Sequence, residues 1–311
     1  MRRKNTFEIF VVAAPGMEKF LGQEVREKGF EKSSNLVGGV SFRGDWADVW
    51  RANLELRGAT RVLARIGAFR VSHLAKLDKL AREFDWAKVL CRDVPVKVEV
   101  TCRKSKIYHA GAAKQRIETA ISESFGAPMG DDGITLKVRI EDNHCTMSVD
   151  TSGESLHKRG HKIFTGKAPM RETLAALFLR ECDFDGTEPV VDPMCGSGTF
   201  VLEAAGIAAG LQPGRSREFA FEKLASFDPE QVQALRRTEP QHAPEARFYG
   251  YDRDAGAISG AAKNAVKSEV AEWAQFDNQA LSDLTPPPGP KGLVIVNPPY
   301  GARIGDRKAV C

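Results

Sequence analysis

The sequence predicts two small α+β units followed by an α/β domain on a doubly wound, largely parallel sheet. Three observations predict it. Val96, Val98 and Val100 alternate with polar neighbours, the period of a half-exposed strand. Three short apolar runs, Pro189 to Asp192, Phe248 to Asp252 and Leu293 to Val296, sit among helical stretches, as in a sheet that binds ligands at its strand ends. The charge changes sign along the chain: residues 1–170 carry 30 Lys and Arg against 21 Asp and Glu, a net +9, and residues 171–311 carry 15 against 20, a net −5. One half is thus suited to a polyanion and the other to different work.

The first unit, 1–60, opens with the β-rich run Phe7 to Val12. Ala14-Pro15-Gly16 breaks it, and Phe20, Leu21 and Val25 fall at helical spacing within Met17 to Lys28. Gly29 stops that helix. Val40 to Phe42 reads as a strand, and Asp45 as the cap of a helix through Arg51.

The second unit, 61–155, runs from a strand at Arg61 to Val71 through a helix at Lys76 to Glu83 to the alternating strand Val94 to Cys102. A loop from Arg103 to His109 precedes a helix from Gly111 to Phe125, and Ile134 to Glu141 and Cys145 to Asp150 close the unit as paired strands. Lys104, Lys106, Lys114 and Arg116 gather around that loop, with Tyr108 and His109 among them. Cations bind phosphates and aromatics stack on bases, so the cluster suits structured RNA. The competing reading is a solvated helix start around a core tyrosine. Residues 156–172 read as a basic linker, in which Lys158 and Arg159 are further RNA candidates. His157 and His161 lie there without a third ligand, so no metal site is expected.

The third segment, 173–311, starts with a helix at Leu174 to Leu179. The strand ending in Asp192 leads into Pro193-Met194-Cys195-Gly196-Ser197-Gly198-Thr199 and an apolar helix to Ala209. Two glycines there let backbone approach a ligand. Val201 replaces the third glycine of a dinucleotide fingerprint, and the Lys-Ser/Thr of a P-loop is missing. A cofactor with a ribose and no phosphate fits better, and S-adenosylmethionine is one. Asp252, at the end of the second run, is suited to ribose hydroxyls, and Asp192 to an ammonium group. Asn297-Pro298-Pro299-Tyr300 follows the third run. Prolines cannot continue a central strand, so they set a rigid turn at its ligand end. The Asn297 side-chain oxygen and Pro298 carbonyl are candidate acceptors for the two N–H bonds of an exocyclic amine, and Tyr300 a stacking surface for a flipped-out base.

DPMCGSGTF, GYDRD and VIVNPPYGARIG together resemble the motifs of class I S-adenosylmethionine-dependent methyltransferases. With the N-terminal half included, the chain resembles the THUMP-domain RNA guanine-N2 methyltransferases of the bacterial large-subunit rRNA type. The resemblance implies a ferredoxin-like and THUMP α+β module followed by a Rossmann-like methyltransferase domain. It also implies structured RNA as partner, rRNA ahead of tRNA, with a tRNA guanine-N2 methyltransferase as an alternative. SLHKRGHK with APMRETLAA, and the stretch GRSREFAFEKLASFD, resemble that family's linker and insertion. By the same likeness Asp192, Met194, Cys195, Gly196, Ser197, Gly198 and Thr199 line the cofactor, Asp252 takes the ribose, and Asn297, Pro298, Pro299 and Tyr300 form the catalytic turn. The acidic position near the adenine falls on Asp277 or, in another alignment, on Gln279.

The family's sheet continues for three more strands. About 60–90 residues beyond Cys311 are therefore expected, at roughly 30 per βα unit, and the methyltransferase domain reads as C-terminally truncated. The competing function is an RNA-binding protein with little catalysis, and a third is a DNA adenine or protein glutamine methyltransferase sharing the Asn-Pro-Pro-Tyr turn. The composition, 42% hydrophobic and 28% charged, excludes a disordered chain. No run of about 18 apolar residues predicts a membrane span. Ile9 to Ala14 is too short for a signal peptide, and six cysteines without a CxxC pair exclude a zinc ribbon or disulfide scaffold. The cytoplasm is the expected compartment, with no membrane partner.

Overall fold

A computed structural model describes residues 6–166 and 169–298. The chain forms two compact units. One runs to Ser155 and takes in Glu218–Leu235; the other holds Leu156–Arg217 and the chain from Arg236.

The first unit is one seven-stranded sheet with helices α1 (Glu18–Glu27), α2 (Trp46–Glu55), α3 (Leu74–Glu83) and α4 (Ala110–Ser124). Its strands are β1 (Phe7–Val12), β2 (Ser34–Leu36), β3 (Gly39–Gly44), β4 (Arg61–Arg70), β5 (Val96–Arg103), β6 (Ile134–Glu141) and β7 (His144–Asp150), in the order β2-β3-β1-β4-β7-β6-β5. Only β5 and β6 run parallel; the other pairs are antiparallel. The sheet is continuous through both α+β segments because β1 and β7 flank β4.

Local chemistry sets the element ends. Asp45 and Asp48 form a reciprocal capping box at α2, satisfying two otherwise orphaned backbone donors. The helix runs on to Glu55, one turn past the expected Arg51. Histidine side chains cap α3 and α4: the Nδ1 atoms of His73 and His109 accept from Lys76 and Ala112 amides at 3.2 and 3.0 Å. Asp142 and Asn143 both take positive φ between β6 and β7, the two-residue turn whose twist matches antiparallel strands.

The segment from Glu218 to Leu235 lies between two strands of the other unit in sequence but packs in the first. Phe221 is fully buried there, its amide donates to Thr151 O at 3.0 Å, and its ring centroid stands 6.5 Å from Trp50. The Ala225 amide reaches Val89 O at 3.0 Å. Helix α7 ends the segment as α7 (Pro229–Leu235), with helices α5 (Glu172–Glu181) and α6 (Thr199–Ala208) preceding it in the other unit.

That second unit is a four-stranded parallel sheet of β8 (Val190–Asp192), β9 (Phe248–Asp252), β10 (Ala274–Asn278) and β11 (Leu293–Val294), in the order β10-β9-β8-β11. Helix α8 (Ala255–Lys267) joins β9 to β10. Its core gathers Ala175 and Leu179 from α5, Phe200, Val201, Ala204 and Ala205 from α6, and Val190 and Phe248 from the sheet. The run 293–296, expected as one strand, pairs formally only over Leu293–Val294. The Ile295 amide still reaches Val191 O at 2.9 Å, and the ladder does not extend to Pro298, which has no amide to donate. Strand β10 was not anticipated, because Ala274–Asn278 lacks an apolar run; its polar residues fall at the sheet edge. Among the described residues no helix is long and apolar enough to cross a membrane.

Candidate functional site

Three neighbouring parallel strands end together on one side of the second unit, with the chain order turning back between β8 and β11. Such a switch point opens a crevice at the strand C-termini. Asp192 ends β8, Asp252 ends β9, Asn278 ends β10, and Asn297 and Pro298 follow β11.

The loop after β8 is tied to β9. Cys195 N donates to Tyr251 O at 2.8 Å, and Gly196 N donates to the Asp252 carboxylate at 3.0 Å. Gly198 N closes the turn on Cys195 O at 2.8 Å. Gly198 has φ +82° and lies so close to Phe276 that a Cβ would stand 2.9 Å from its ring. Both facts require glycine. At Gly196 the position a Cβ would take has no atom within 4 Å, so the loop faces open space there.

Asp192 is 3% exposed and accepts from the Met194 amide at 3.1 Å. Burial, reinforced by the nearby Asp252 charge, pushes its carboxyl up to about 7. A buried carboxyl in this state is a natural partner for a cationic group, which would restore its ionised form. Burial, with the Asp192 and Asp252 charges beside it, likewise pushes the Cys195 thiol well above its ordinary range, which favours the neutral thiol. Asp252 also accepts from Asp254 N at 2.9 Å; each carboxylate oxygen keeps a further lone pair for a ligand hydroxyl. The open loop, the buried acid and the half-buried acid one strand away fit S-adenosylmethionine.

Other candidate residues fall differently. Ser197 and Thr199 are buried, and their hydroxyls stand 3.4 Å apart while Lys162 Nζ donates to Thr199 Oγ1 at 2.9 Å, so these side chains brace the loop. Asp277 accepts from Gln275 Nε2 at 2.7 Å, and Gln279 Nε2 donates to Asp283 O at 2.7 Å. Sequence reading missed Asn278 between them, whose side chain donates to Asp252 O at 2.8 Å. Only its position in the strand pairing reveals it. Pro299 and Tyr300 lie outside the described residues.

In the first unit Lys104, Lys106, Tyr108, His109, Lys114 and Arg116 are all exposed. Tyr108 is 84% exposed, which overturns the core-tyrosine alternative; Ile107 fills the core there instead. The loop is pinned from the β6–β7 turn, where Asn143 Oδ1 accepts from Lys106 N at 2.9 Å and Ser105 Oγ at 3.1 Å. Lys114 pairs with Glu118 at 3.6 Å, and His109 has the capping role already described. The sheet adds cations that sequence reading did not group. Arg103, Glu141, His144 and Arg70 form one cross-strand row, with Arg139 beside it. Arg139, with smaller contributions from Arg103 and Lys104, holds the Glu141 carboxyl below its usual range.

Arg159 corrects an expectation. Its side chain is 5% exposed and belongs to the second unit, where Nε meets Glu203 at 3.3 Å and Nη1 donates to Leu156 O at 2.9 Å. A buried, paired guanidinium is structural and does not meet phosphates. Lys158 beside it is exposed.

Three family models divide the chain: an RlmL ferredoxin-like domain over 8–63, a THUMP domain over 71–150 and an RMKL-like methyltransferase domain over 159–311. The chain belongs to the THUMP-domain class I methyltransferase family. Within it, this member is 29% identical to a Synechocystis protein provisionally named an RNA methyltransferase, over 97% of this chain and 81% of the relative. It is 30% identical to the ribosomal RNA large subunit methyltransferase K/L of Vibrio campbellii, over 96% of this chain, but spans only 44% of that relative's length. A solved Listeria monocytogenes structure, described as an N6-adenine-specific DNA methylase from sequence, is 30% identical with a TM-score of 0.89, covering 98% of this chain and 83% of that one. SMU.472, provisionally named a methyltransferase and complexed with SAH, is 30% identical with a TM-score of 0.84, covering 99% and 84%.

Proposed function

We propose that this protein transfers a methyl group from S-adenosylmethionine to an exocyclic base amine of RNA, at N2 of a guanine in large-subunit rRNA. The observation that carries this reading is the convergence of Asp192, the Gly196 loop, Asp252 and Asn297-Pro298 at adjacent parallel strand ends. The bound cofactor supplies the electrophilic methyl group. Asp192 pairs with its ammonium and Asp252 accepts from its ribose hydroxyls; Met194, Cys195 and Asp277 or Gln279 line the rest of the site.

An exocyclic amine is a poor nucleophile because its lone pair is delocalised into the ring. Asn297 Oδ1 and the Pro298 carbonyl accept its two N–H bonds, which turns the nitrogen lone pair towards the donor and stabilises the positive charge developing there. Tyr300 stacks on the base. The Lys104–Arg116 loop and helix, with Arg70, Arg103 and Arg139 alongside, hold RNA phosphates, and Tyr108 stacks on an unpaired base. The THUMP module supports RNA as substrate, and the named rRNA enzyme among the relatives favours rRNA over tRNA. Cytoplasmic residence follows from that substrate.

A second reading, DNA adenine methylation, is favoured by the Listeria structure's description, because the Asn-Pro-Pro-Tyr turn serves either amine. Labelled cofactor with rRNA fragments, tRNA and duplex DNA separates the readings. Label in N2-methylguanosine from rRNA is the expected result. Label in N6-methyladenine of DNA would overturn the proposal, and RNA retention without transfer would favour the binding-protein reading.

A further inference from the structure

One side chain in the second unit makes every hydrogen bond it can make. Asn264 lies in the last turn of α8 and is 0% exposed. Its Oδ1 accepts from Ile163 N and Phe164 N, both at 2.9 Å. Its Nδ2 donates to Phe164 O at 2.9 Å and to Ser197 O at 3.1 Å. Two lone pairs and two N–H bonds exhaust an amide side chain, so both its identity and its orientation are determined. A leucine of similar size would strip all four backbone groups of this partner, and the buried Ser197 carbonyl alone would then cost about 1–3 kcal/mol.

The four bonds join two segments that lie far apart in the sequence. One is the strap at Ile163 and Phe164. The other is the glycine loop, held at Ser197 between Gly196 and Gly198. The strap is seated from its far side by shape: Phe164 lies on Gly260 of the same helix, where a Cβ would come within 2.1 Å of the ring. Lys162, the residue before the strap, reaches the same loop end through Thr199 Oγ1 at 2.9 Å and pairs with Glu172 of α5 at 2.9 Å.

We infer that Asn264 is a positioning residue that couples the seating of the Ile163–Phe164 strap to the geometry of the cofactor loop. The inference rests on the reading of Gly196–Gly198 as cofactor loop. Ligand contact restrains the loop and, through Ser197 O and the Asn264 amide, restrains the strap; loosening the strap loosens the loop in return. Linkage requires the two effects to be reciprocal. If strap seating raises cofactor affinity by some factor, cofactor must shift strap seating by the same factor.

The test uses the whole chain and S-adenosylhomocysteine as probe. Binding is read by calorimetry, and strap seating by hydrogen exchange in the peptide containing the Ile163 and Phe164 amides. The perturbing variant is Gly260→Ala, whose new Cβ would come within 2.1 Å of the Phe164 ring and displace it. In the natural protein the probe is expected to slow exchange of those two amides. In Gly260→Ala their exchange rises and probe affinity falls together, by about fivefold or more. Asn264→Asp, which keeps the acceptor and removes the donors, is expected to uncouple the two: weakened binding and no probe-dependent protection of the strap. Faster strap exchange in Gly260→Ala with unchanged probe affinity would overturn the coupling while leaving the cofactor reading intact. Failure of the natural protein to bind the probe would instead overturn that reading. Should Asn264→Asp not fold, Gly260→Ala decides alone.

Discussion

The Gly196 amide donates to the Asp252 carboxylate at 3.0 Å, so the loop after β8 is held by the acid that ends β9. Asp252 therefore does two things at once: it shapes the glycine loop and leaves lone pairs towards the crevice. Asp252→Asn removes the charge from both roles. S-adenosylhomocysteine affinity should fall about tenfold to a hundredfold, the worth of a hydrogen bond to a charged group of about 1.5–3 kcal/mol. Calorimetric titration measures it, and unchanged affinity would exclude Asp252 from the cofactor site.

Asp192 supplies a pH dependence. Its carboxyl is raised from an ordinary 3.8 to about 7, chiefly by burial. The folded protein thus keeps a proton that the unfolded chain releases. This contribution to stability is fully present below about pH 4 and is lost as pH rises through about 7. Cofactor binding runs the other way, because the ammonium needs the ionised acid. Affinity should rise with pH through about 7, with proton release visible in buffers of different ionisation enthalpy. Asp192→Asn should bind weakly and lose that pH dependence.

Asn297→Ala should leave cofactor affinity nearly unchanged and lower turnover about a hundredfold or more, since an oriented acceptor acts on the reacting amine and not on cofactor. Equal losses in binding and turnover would mark Asn297 as structural. Single-turnover methylation beside calorimetry separates the outcomes.

Lys104→Gln and Lys106→Gln should each weaken RNA binding and lower the slope of log affinity against log salt by about 0.7–0.9, one phosphate contact apiece. Tyr108→Ala should weaken binding by about 1–3 kcal/mol with the slope unchanged, because stacking releases no counterion. Filter binding across a salt series distinguishes them. A Tyr108 variant that binds as well as the natural protein would remove it from the interface.

Arg159→Ala should destabilise the second unit, by up to about 3–5 kcal/mol, the upper range for removing one member of a buried ion pair, here with Glu203. The RNA salt slope should not change. A lowered slope with unchanged thermal stability would return Arg159 to the RNA surface.

The residues legible beforehand were those whose chemistry is local. Asp45 announces a cap, Val96 and Val98 announce a strand by alternation, and Asp192 with Gly196 and Gly198 announce a turn at a strand end. The same signals mislead where a side chain's role depends on what packs against it. Arg159 sits in a basic stretch and reads as a phosphate ligand, yet Glu203 on α6 takes it into the core. Strand β10 carries polar residues at a sheet edge and has no apolar run to betray it.

The sequence by itself determined the α+β module before the α/β sheet and the glycine loop at the end of β8. Hydrophobic period and turn chemistry both act within a few residues. Tertiary structure alone decided that Glu218–Leu235 joins the first unit, that Arg70, Arg103 and Arg139 gather on one end of its sheet, and that Asn264 joins strap to loop. Those outcomes depend on which buried donors find which acceptors across long sequence separations. Burial makes an unmade bond costly, so packing selects the partner, and no local pattern encodes that choice.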